Sequence, residues 1–359
     1  MTPLDHLRRS DAGRKAAVVL AALTCMAALF VLAARAKDEG TEKRNIYIPA
    51  TISPEAQQIL KNLSKEKIYE GELPEPDDRE GWRKAHAKGE SSDKEDEETA
   101  KRSGVTVTET VLGGVPVLDI RPRDWKDNGK VLVYTHGGAF TIFSAYSSLD
   151  SSVPMSRATG LRLISVDYTT APFANWKKIQ EQVIKVFEAL QVKGYTMKDI
   201  AIYGDSAGGG LAISAVLQMR DRGMDMPAAV VLLSPWADLN DIGDTAHTLK
   251  AADPILAYKP SLKNSALAYA DGLDLSDPCV SPLYANFSKG FPPCLIIEGT
   301  KCIFLSTSVR LYQVLEAAGR EVKLDVYEGM WHVFQLYPMP ESETANRKAA
   351  QFIRYKLGI

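Results

Sequence analysis

The feature that most limits the fold of this chain is a rhythm that starts at Val105. Short apolar, β-branched runs recur: "KVLVYT", "LRLISVDY", "DIAIYG", "AVVLLS", "PCLIIEG" and "VKLDVYEG". Stretches with helical spacing lie between them, at Leu149–Thr159, Lys177–Leu190, Ala207–Arg222 and Thr307–Ala318, with a last helix over about 341–356. A strand covered on both faces has no wet side, so its sequence is continuously apolar rather than alternating. Such strands alternating with helices predict an α/β fold, a mostly parallel eight-stranded sheet flanked by helices. "VTVTETVLGGVPVLDI" adds a hairpin turning at Gly113-Gly114. A mixed insertion at about 238–290 breaks the rhythm. In sheets of this kind ligands sit beyond the carboxyl ends of the strands, so the residues just after each strand are where chemistry is sought.

The region before Val105 reads differently. Arg8, Arg9, Arg14 and Lys15 precede an apolar run from Ala16 to Ala34, followed by Ala34-Arg35-Ala36. That order predicts a secretory signal over 1–36, cleaved after Ala36, and a periplasmic or secreted protein. The rival is an uncleaved membrane anchor, since the run approaches the ~20 residues that span a bilayer. Residues 37–104 read as a cap or linker segment. In it "ISPEAQQILKNL" has helical spacing behind a Ser53-Pro54 start, and a charged stretch follows that is too polar for a core of its own. The formal net charge of −2 and the lack of a basic block exclude a nucleic-acid partner. The four cysteines, Cys25, Cys279, Cys294 and Cys302, form neither a zinc pattern nor a disulfide framework. Buried free thiols are expected, with a bridge from Cys302 to Cys279 or Cys294 as the alternative.

Three strand ends carry a chemistry. After "DIAIY" comes Gly204-Asp205-Ser206-Ala207-Gly208, opening a helix. This is G-x-S-x-G in the strand–turn–helix setting of a nucleophile elbow. It presents a serine Oγ beside the unpaired N–H groups of a helix start. After "KVLVYT" comes His136-Gly137-Gly138, where successive glycines aim backbone N–H groups at one point, as an oxyanion hole requires. His136 precedes that turn and is expected to orient it rather than act as a base. After "VKLDVYEG" comes Met330-Trp331-His332. His332 follows a late strand and lies C-terminal to the serine, the position of a base that takes the Ser206 proton and returns it to the leaving group. Phe140, Tyr146 and Trp331 are candidates to line an aromatic pocket, or else to fill the core. No metal and no organic cofactor is called for by this chemistry.

The segments "HGGAF", "YGDSAGGGLA", "LLSPWADL", "PPCLIIEGT" and "YEGMWHVF" resemble the hormone-sensitive-lipase-like branch of the α/β-hydrolase esterases, from about Val105 to the C-terminus. The resemblance implies hydrolysis of acyl esters or lactones. It implies Ser206 as nucleophile, His332 as base, and Gly137, Gly138 and Ala207 as oxyanion donors. It also implies that residues 37–104 and the insertion form a cap, and that two copies pair through the last strand. The segment "DYTTAPFANW" is shorter than the family's pattern there and lacks its arginine.

The resemblance places an Asp or Glu three residues after the glycine that ends the seventh strand. Here that residue is Cys302. A thiol is a weak substitute for the acid that orients the histidine and stabilises its charged form. Three explanations stand: a substituted site with reduced activity, rescue by a neighbouring carboxylate, or a redox or disulfide role. Asp238 follows the sixth strand, where the family has an Asp anyway, and Glu298 lies inside the strand before the gap. The functional expectation is a carboxylic-ester hydrolase acting through an acyl-enzyme on short or aromatic esters or lactones. A non-catalytic ligand-binding protein on the same fold is the alternative.

Overall fold

The computed structural model describes residues 46–65, 73–87, 103–258 and 262–359. The expected signal or anchor over 1–36 lies outside the described residues. Among the described residues no helix is long and apolar enough to cross a membrane.

Eight strands form one sheet: β1 Val105–Leu112, β2 Val115–Pro122, β3 Val131–Thr135, β4 Arg162–Val166, β5 Ile200–Asp205, β6 Ala229–Leu233, β7 Cys294–Gly299 and β8 Val322–Tyr327. Their spatial order is β1-β2-β4-β3-β5-β6-β7-β8. β1 and β2 pair antiparallel across the Gly113-Gly114 turn, and β2 runs antiparallel to β4. All other neighbours are parallel. β3, β5, β6 and β7 are buried along their whole length. That is why they read as unbroken apolar runs. β8 at the edge is half-buried, and its sequence correspondingly alternates apolar and polar residues.

The helices fall within a residue or two of their expected places. Leu149–Thr159 ends on Gly160 in the left-handed conformation, a stop signal that glycine supplies without strain. Trp176–Val192 is capped by the Asn175 side chain, and Ala207–Asp221, Leu305–Ala317 and Pro340–Leu357 follow. Among its described residues the insertion holds the short α-helices Asp244–Thr248 and Lys263–Ala270 and the 3-10 turns Pro282–Tyr284 and Phe287–Lys289.

The N-terminal segment is docked on the sheet domain. In the helix Pro54–Leu63, Ser53 caps the start, and Ala56, Ile59, Leu60 and Leu63 are buried. Glu341 clasps that cap, accepting from the Ser53 N–H at 2.7 Å and the Ser53 hydroxyl at 2.8 Å. Further along, Trp82 is fully buried, and its indole donates to the Glu75 carbonyl. His86 Nε2 meets the Thr170 hydroxyl at 2.7 Å and Arg79 donates to the Pro172 carbonyl. The short "DYTTAPFANW" segment is therefore where residues 79–86 rest.

Candidate active site

Ser206 sits between β5 and the helix Ala207–Asp221 with φ 53° and ψ −124°. This left-handed backbone is disfavoured for any residue with a Cβ and is held only by its surroundings. The holding contacts are specific. The Ser206 N–H donates to Leu233 O at 2.9 Å, and Ser206 O accepts from Trp236 N at 2.8 Å and Gly209 N at 3.0 Å. The turn is tight enough that a Cβ on Gly204 would come within 2.3 Å of Gly208 O, and one on Gly208 within 2.0 Å of Thr135 O. The glycines are thus required by close approach of strand and helix. Ala207 is the first helical residue, so its N–H has no acceptor four residues back.

The Gly137-Gly138 turn lies against this elbow. A Cβ on Gly137 would come 2.4 Å from Asp205 Oδ2 and 3.3 Å from Ser206 Cβ. Gly138, Ala139 and Phe140 all have positive φ, so the chain curls sharply just after β3. Asp205 is buried beneath. Burial raises its pKa to about 6, against hydrogen bonds from the Tyr134 hydroxyl and the Gly137 backbone. The Gly137 N–H is thereby drawn toward Asp205, and Gly138 and Ala207 are the expected donors that Asp205 does not engage. His136 bonds through Nδ1 to Gly137 O at 2.9 Å and stacks on Tyr168 at 4.0 Å. Burial pushes its pKa down to about 4. It orients the turn as a neutral ring.

His332 stands in a loop stitched to the ends of three strands. Lys301 N donates to Met330 O, Thr300 N to Tyr327 O and Gly329 N to Thr300 Oγ1. Val333, with φ 46°, donates its N–H to Ser234 Oγ at 3.1 Å, and Ser234 N bonds Ile297 O. These contacts tie the His332 loop to the carboxyl ends of β6, β7 and β8. Phe304 packs edge-on against the imidazole, 5.1 Å between ring centres. Ile52 and Pro49 press on Gly329, so the N-terminal segment also lies on this loop. Ser206 is 9% exposed and His332 6%. The elbow is therefore sheltered.

Cys302 occupies the expected place of the acid. Its Sγ is 3.4 Å from His332 Nδ1 and accepts the Phe304 N–H at 3.4 Å. It is fully buried. Burial, and then the nearby charges of Glu298 and Asp253, push the thiol well above its usual range, so it is neutral. Burial alone lowers His332 to about 3. The imidazole is a neutral ring at working pH, and no charge at Cys302 favours the imidazolium.

The rival explanations for Cys302 separate here. All three described cysteines are free, Cys279 at the surface and Cys294 and Cys302 buried. Cys294 opens β7 and Cys302 lies beyond its far end, so at ~3.3 Å per residue the strand alone puts them ~16 Å apart. A bridge needs Cα atoms within about 7 Å. A bridge from Cys302 to Cys294 is thus corrected, and Cys279 lies at the surface as a free thiol while Cys302 is buried. Asp238 is taken by other partners: Arg310 at 2.7 Å, the Tyr284 hydroxyl at 2.9 Å and the Asn240 N–H at 3.0 Å. It serves as an anchor for the insertion. Glu298, by contrast, is fully buried, and its charge is among the causes that push the Cys302 thiol up.

Of the aromatic candidates, Phe140 and Trp331 belong to the core. Phe140 stacks on Tyr269 at 3.8 Å and is 1% exposed, and Trp331 is fully buried against Tyr337. Their apolar packing shapes the loops but offers no free wall. Tyr146 is partly exposed and hydrogen-bonds Glu109. A separate cleft of roughly 550 Å³ lies between residues 76–79, Pro172-Phe173 and Asp271, and none of Ser206, Cys302 or His332 lines it. Among the described residues no cluster suited to a metal ion occurs. The sequence pointed to neither Ser234, Ser308 nor Asp253. Asp253 is fully buried and accepts the Ile303 N–H beside Cys302. Its only signal is a lone acid in "AADPIL", which spacing could not attach to the site.

Residues 132–336 match the α/β-hydrolase fold family. The chain belongs to the hormone-sensitive-lipase-like branch of the α/β-hydrolase esterases. An acetyl-hydrolase of Streptomyces hygroscopicus is 32% identical over 241 residues, 67% of this chain and 79% of that one. An esterase of Acinetobacter venetianus is 31% identical over 225 residues, 62% of this chain and 74% of that one. The crystal structure of an esterase from the bacterial hormone-sensitive lipase family superposes with a TM-score of 0.73 at 28% identity, covering 85% of this chain and 99% of that one. The crystal structure of esterase E25 gives 0.78 at 27% identity, covering 88% and 98%. The chain is thus a carboxylesterase-type hydrolase by family, with the Cys302 thiol beside His332 Nδ1.

Proposed function

We propose that this esterase works by a serine nucleophile and an acyl-enzyme, on short-chain or aromatic esters or lactones. The observation that carries the reading is the strained Ser206, held at φ 53° between β5 and a helix start. Strain of this kind persists where it is used. Ser206 Oγ attacks the ester carbonyl. The developing oxyanion is met by the N–H groups of Ala207 and Gly138, with Gly137 shaping the turn. His332 accepts the serine proton through Nε2 and returns it to the leaving alkoxide. Water then repeats the sequence and frees the acid. The docked N-terminal segment and the insertion cap the site, and Tyr146 is the remaining aromatic candidate to meet substrate. Export through the N-terminal signal, and pairing of two copies along the open edge of β8, complete the reading.

Crystals of the esterase EstE5, a solved structural relative at 27% identity, were soaked with p-nitrophenyl butyrate. A series of p-nitrophenyl esters from acetate to decanoate is the direct test. Turnover is expected for the short members, with stoichiometric labelling of Ser206 by a fluorophosphonate. The neutral thiol on His332 favours a second reading, a ligand-binding protein with a silent triad. No labelling and no turnover of any ester would decide for it.

A further inference from the structure

A neutral thiol beside His332 poses a problem of direction. If the Cys302 S–H donates to Nδ1, the ring proton sits on Nε2, and the nitrogen that should face Ser206 is not a base. The useful tautomer needs Nδ1–H donating to sulfur. The thiol proton must then have another acceptor.

Glu298 supplies one. It is the penultimate residue of β7, its side chain fully buried in a strand that is otherwise apolar. Its surroundings are donors. Gly299 N–H reaches Oε1 at 3.0 Å and the Ser308 hydroxyl reaches Oε2 at 2.8 Å. The Ser234 hydroxyl and the Cys302 thiol act on the same carboxyl, both favouring its ionised form against burial. Ser234 Oγ already accepts the Val333 N–H, so its own proton is available to Glu298. The Cys302 sulfur accepts the Phe304 N–H at 3.4 Å, which leaves its proton as the natural donor to the carboxylate. A shell made of donors suits an ionised carboxylate. Glu298 thus bears on His332's setting from two sides, through Cys302 at Nδ1 and through Ser234 at the next residue.

We propose that Glu298 is the positioning carboxylate of this site, acting on His332 through the Cys302 thiol. The S–H points to Glu298, and the sulfur lone pair accepts Nδ1–H of His332. Nε2 is then left as the base for Ser206. The thiol passes on orientation and polarisation, with no net proton transfer required. This deepens the esterase reading and rests on it.

The test is Glu298→Gln, made in the parent and in a Cys302→Glu background. In the parent, kcat for p-nitrophenyl acetate should fall 10- to 100-fold with KM within about twofold, because the loss is in the base and not in binding. In Cys302→Glu the same change should leave kcat unchanged or raise it, because two buried carboxylates then compete and one is superfluous. A residue that merely supports the fold would cost the same in both backgrounds. The ¹⁵N shifts of His332 give an independent reading. The parent should show Nδ1–H, and Glu298→Gln a population of Nε2–H. The proposal is overturned if Glu298→Gln keeps kcat within twofold, if its loss is equal in both backgrounds, or if the parent's His332 carries its proton on Nε2. Absence of turnover and of Ser206 labelling in the parent would defeat the esterase reading, and the ¹⁵N measurement would still decide the hydrogen-bond direction.

Discussion

Cys302→Glu is the perturbation that probes this site most directly. The sulfur stands 3.4 Å from His332 Nδ1 in a fully buried setting. A carboxylate there faces the imidazolium that forms as Ser206 loses its proton. Two unit charges ~4 Å apart interact by about 4 kcal/mol at an effective dielectric of ~20, and about 1.4 kcal/mol is a factor of ten in rate. The attraction alone would be worth nearly three orders of magnitude. Two features reduce it. Glu298 and Asp253 already place negative charge around Cys302, and a like charge added among them resists ionisation. If Glu298 already orients the ring, part of the gain has also been realised. The expected rise in kcat is about 10- to 100-fold for p-nitrophenyl acetate, with KM nearly constant, since the gain belongs to the transition state. The larger side chain should cost about 1–3 kcal/mol of stability by overpacking, so thermal unfolding must be followed alongside and kinetics measured well below the transition. A folded Cys302→Glu enzyme with unchanged or lower kcat would refute the assignment of position 302 to the triad.

Ser206→Ala should lower ester turnover by at least about 10³-fold and abolish fluorophosphonate labelling without loss of fold; turnover equal to the parent would remove the nucleophile. Asp238→Asn should cost about 1–3 kcal/mol in a urea titration, because Arg310 and Tyr284 lose a buried partner, while kcat stays within a fewfold; a large kcat loss in a stable protein would return Asp238 to the catalytic machinery. Glu341→Gln should loosen the Ser53 clasp, seen as faster amide exchange over 54–63 with the exchange of β5 and β6 unchanged. For pH, burial raises Glu298 from 4.5 to about 7, so the folded state binds its proton more tightly than the unfolded chain does. That contribution is present below pH ~4.5 and lost as pH rises through ~7, about 3 kcal/mol in all. Glu298→Gln should therefore gain stability relative to the parent between pH 5 and pH 8; a constant difference would show that the carboxyl is not held in this way.

The sheet was legible because burial on both faces leaves a plain mark. "VLVYT", "IAIYGD" and "AVVLL" are continuous apolar runs for the reason that no side of them meets water. Ser206 was legible because close strand–helix packing admits glycine and little else at 204 and 208, which fixes a motif in the sequence. The exposure of the site was not legible. Nothing in "ISPEAQQILKNL" says that Ile52 will press on the loop before His332, or that Ser53 will find Glu341 from 288 residues away. Such contacts depend on where the chain returns in space. The aromatic residues misled for a related reason. Phe140 and Trp331 flank catalytic motifs in sequence, but in loops this tight successive side chains diverge, and these two turn inward.

Glu298 is the case where a local rule is broken and the break was visible. A carboxylate at the end of "CLIIEG" has no place in a strand buried on both faces, since its charge costs stability and no cation among the described residues forms a salt bridge with it. A sequence retains such a residue against that cost when something else depends on it. In sequence Glu298 is only a neighbouring carboxylate inside the strand, because the resemblance puts the acid after the strand, where Cys302 stands. The two departures are four residues apart and meet in space: a thiol where a carboxylate is expected, and a carboxylate where an apolar residue is expected. Each alone reads as damage. Together they keep a negative charge, donors to hold it and an acceptor for Nδ1–H in one line behind His332. The double variant Cys302→Glu, Glu298→Gln moves the carboxylate forward by one link. It should match or exceed the parent in kcat, whereas Glu298→Gln alone falls below it. If the double variant is as impaired as Glu298→Gln alone, then the carboxylate at 298 is needed for itself, and the exchange between the two positions is not what keeps this site in order.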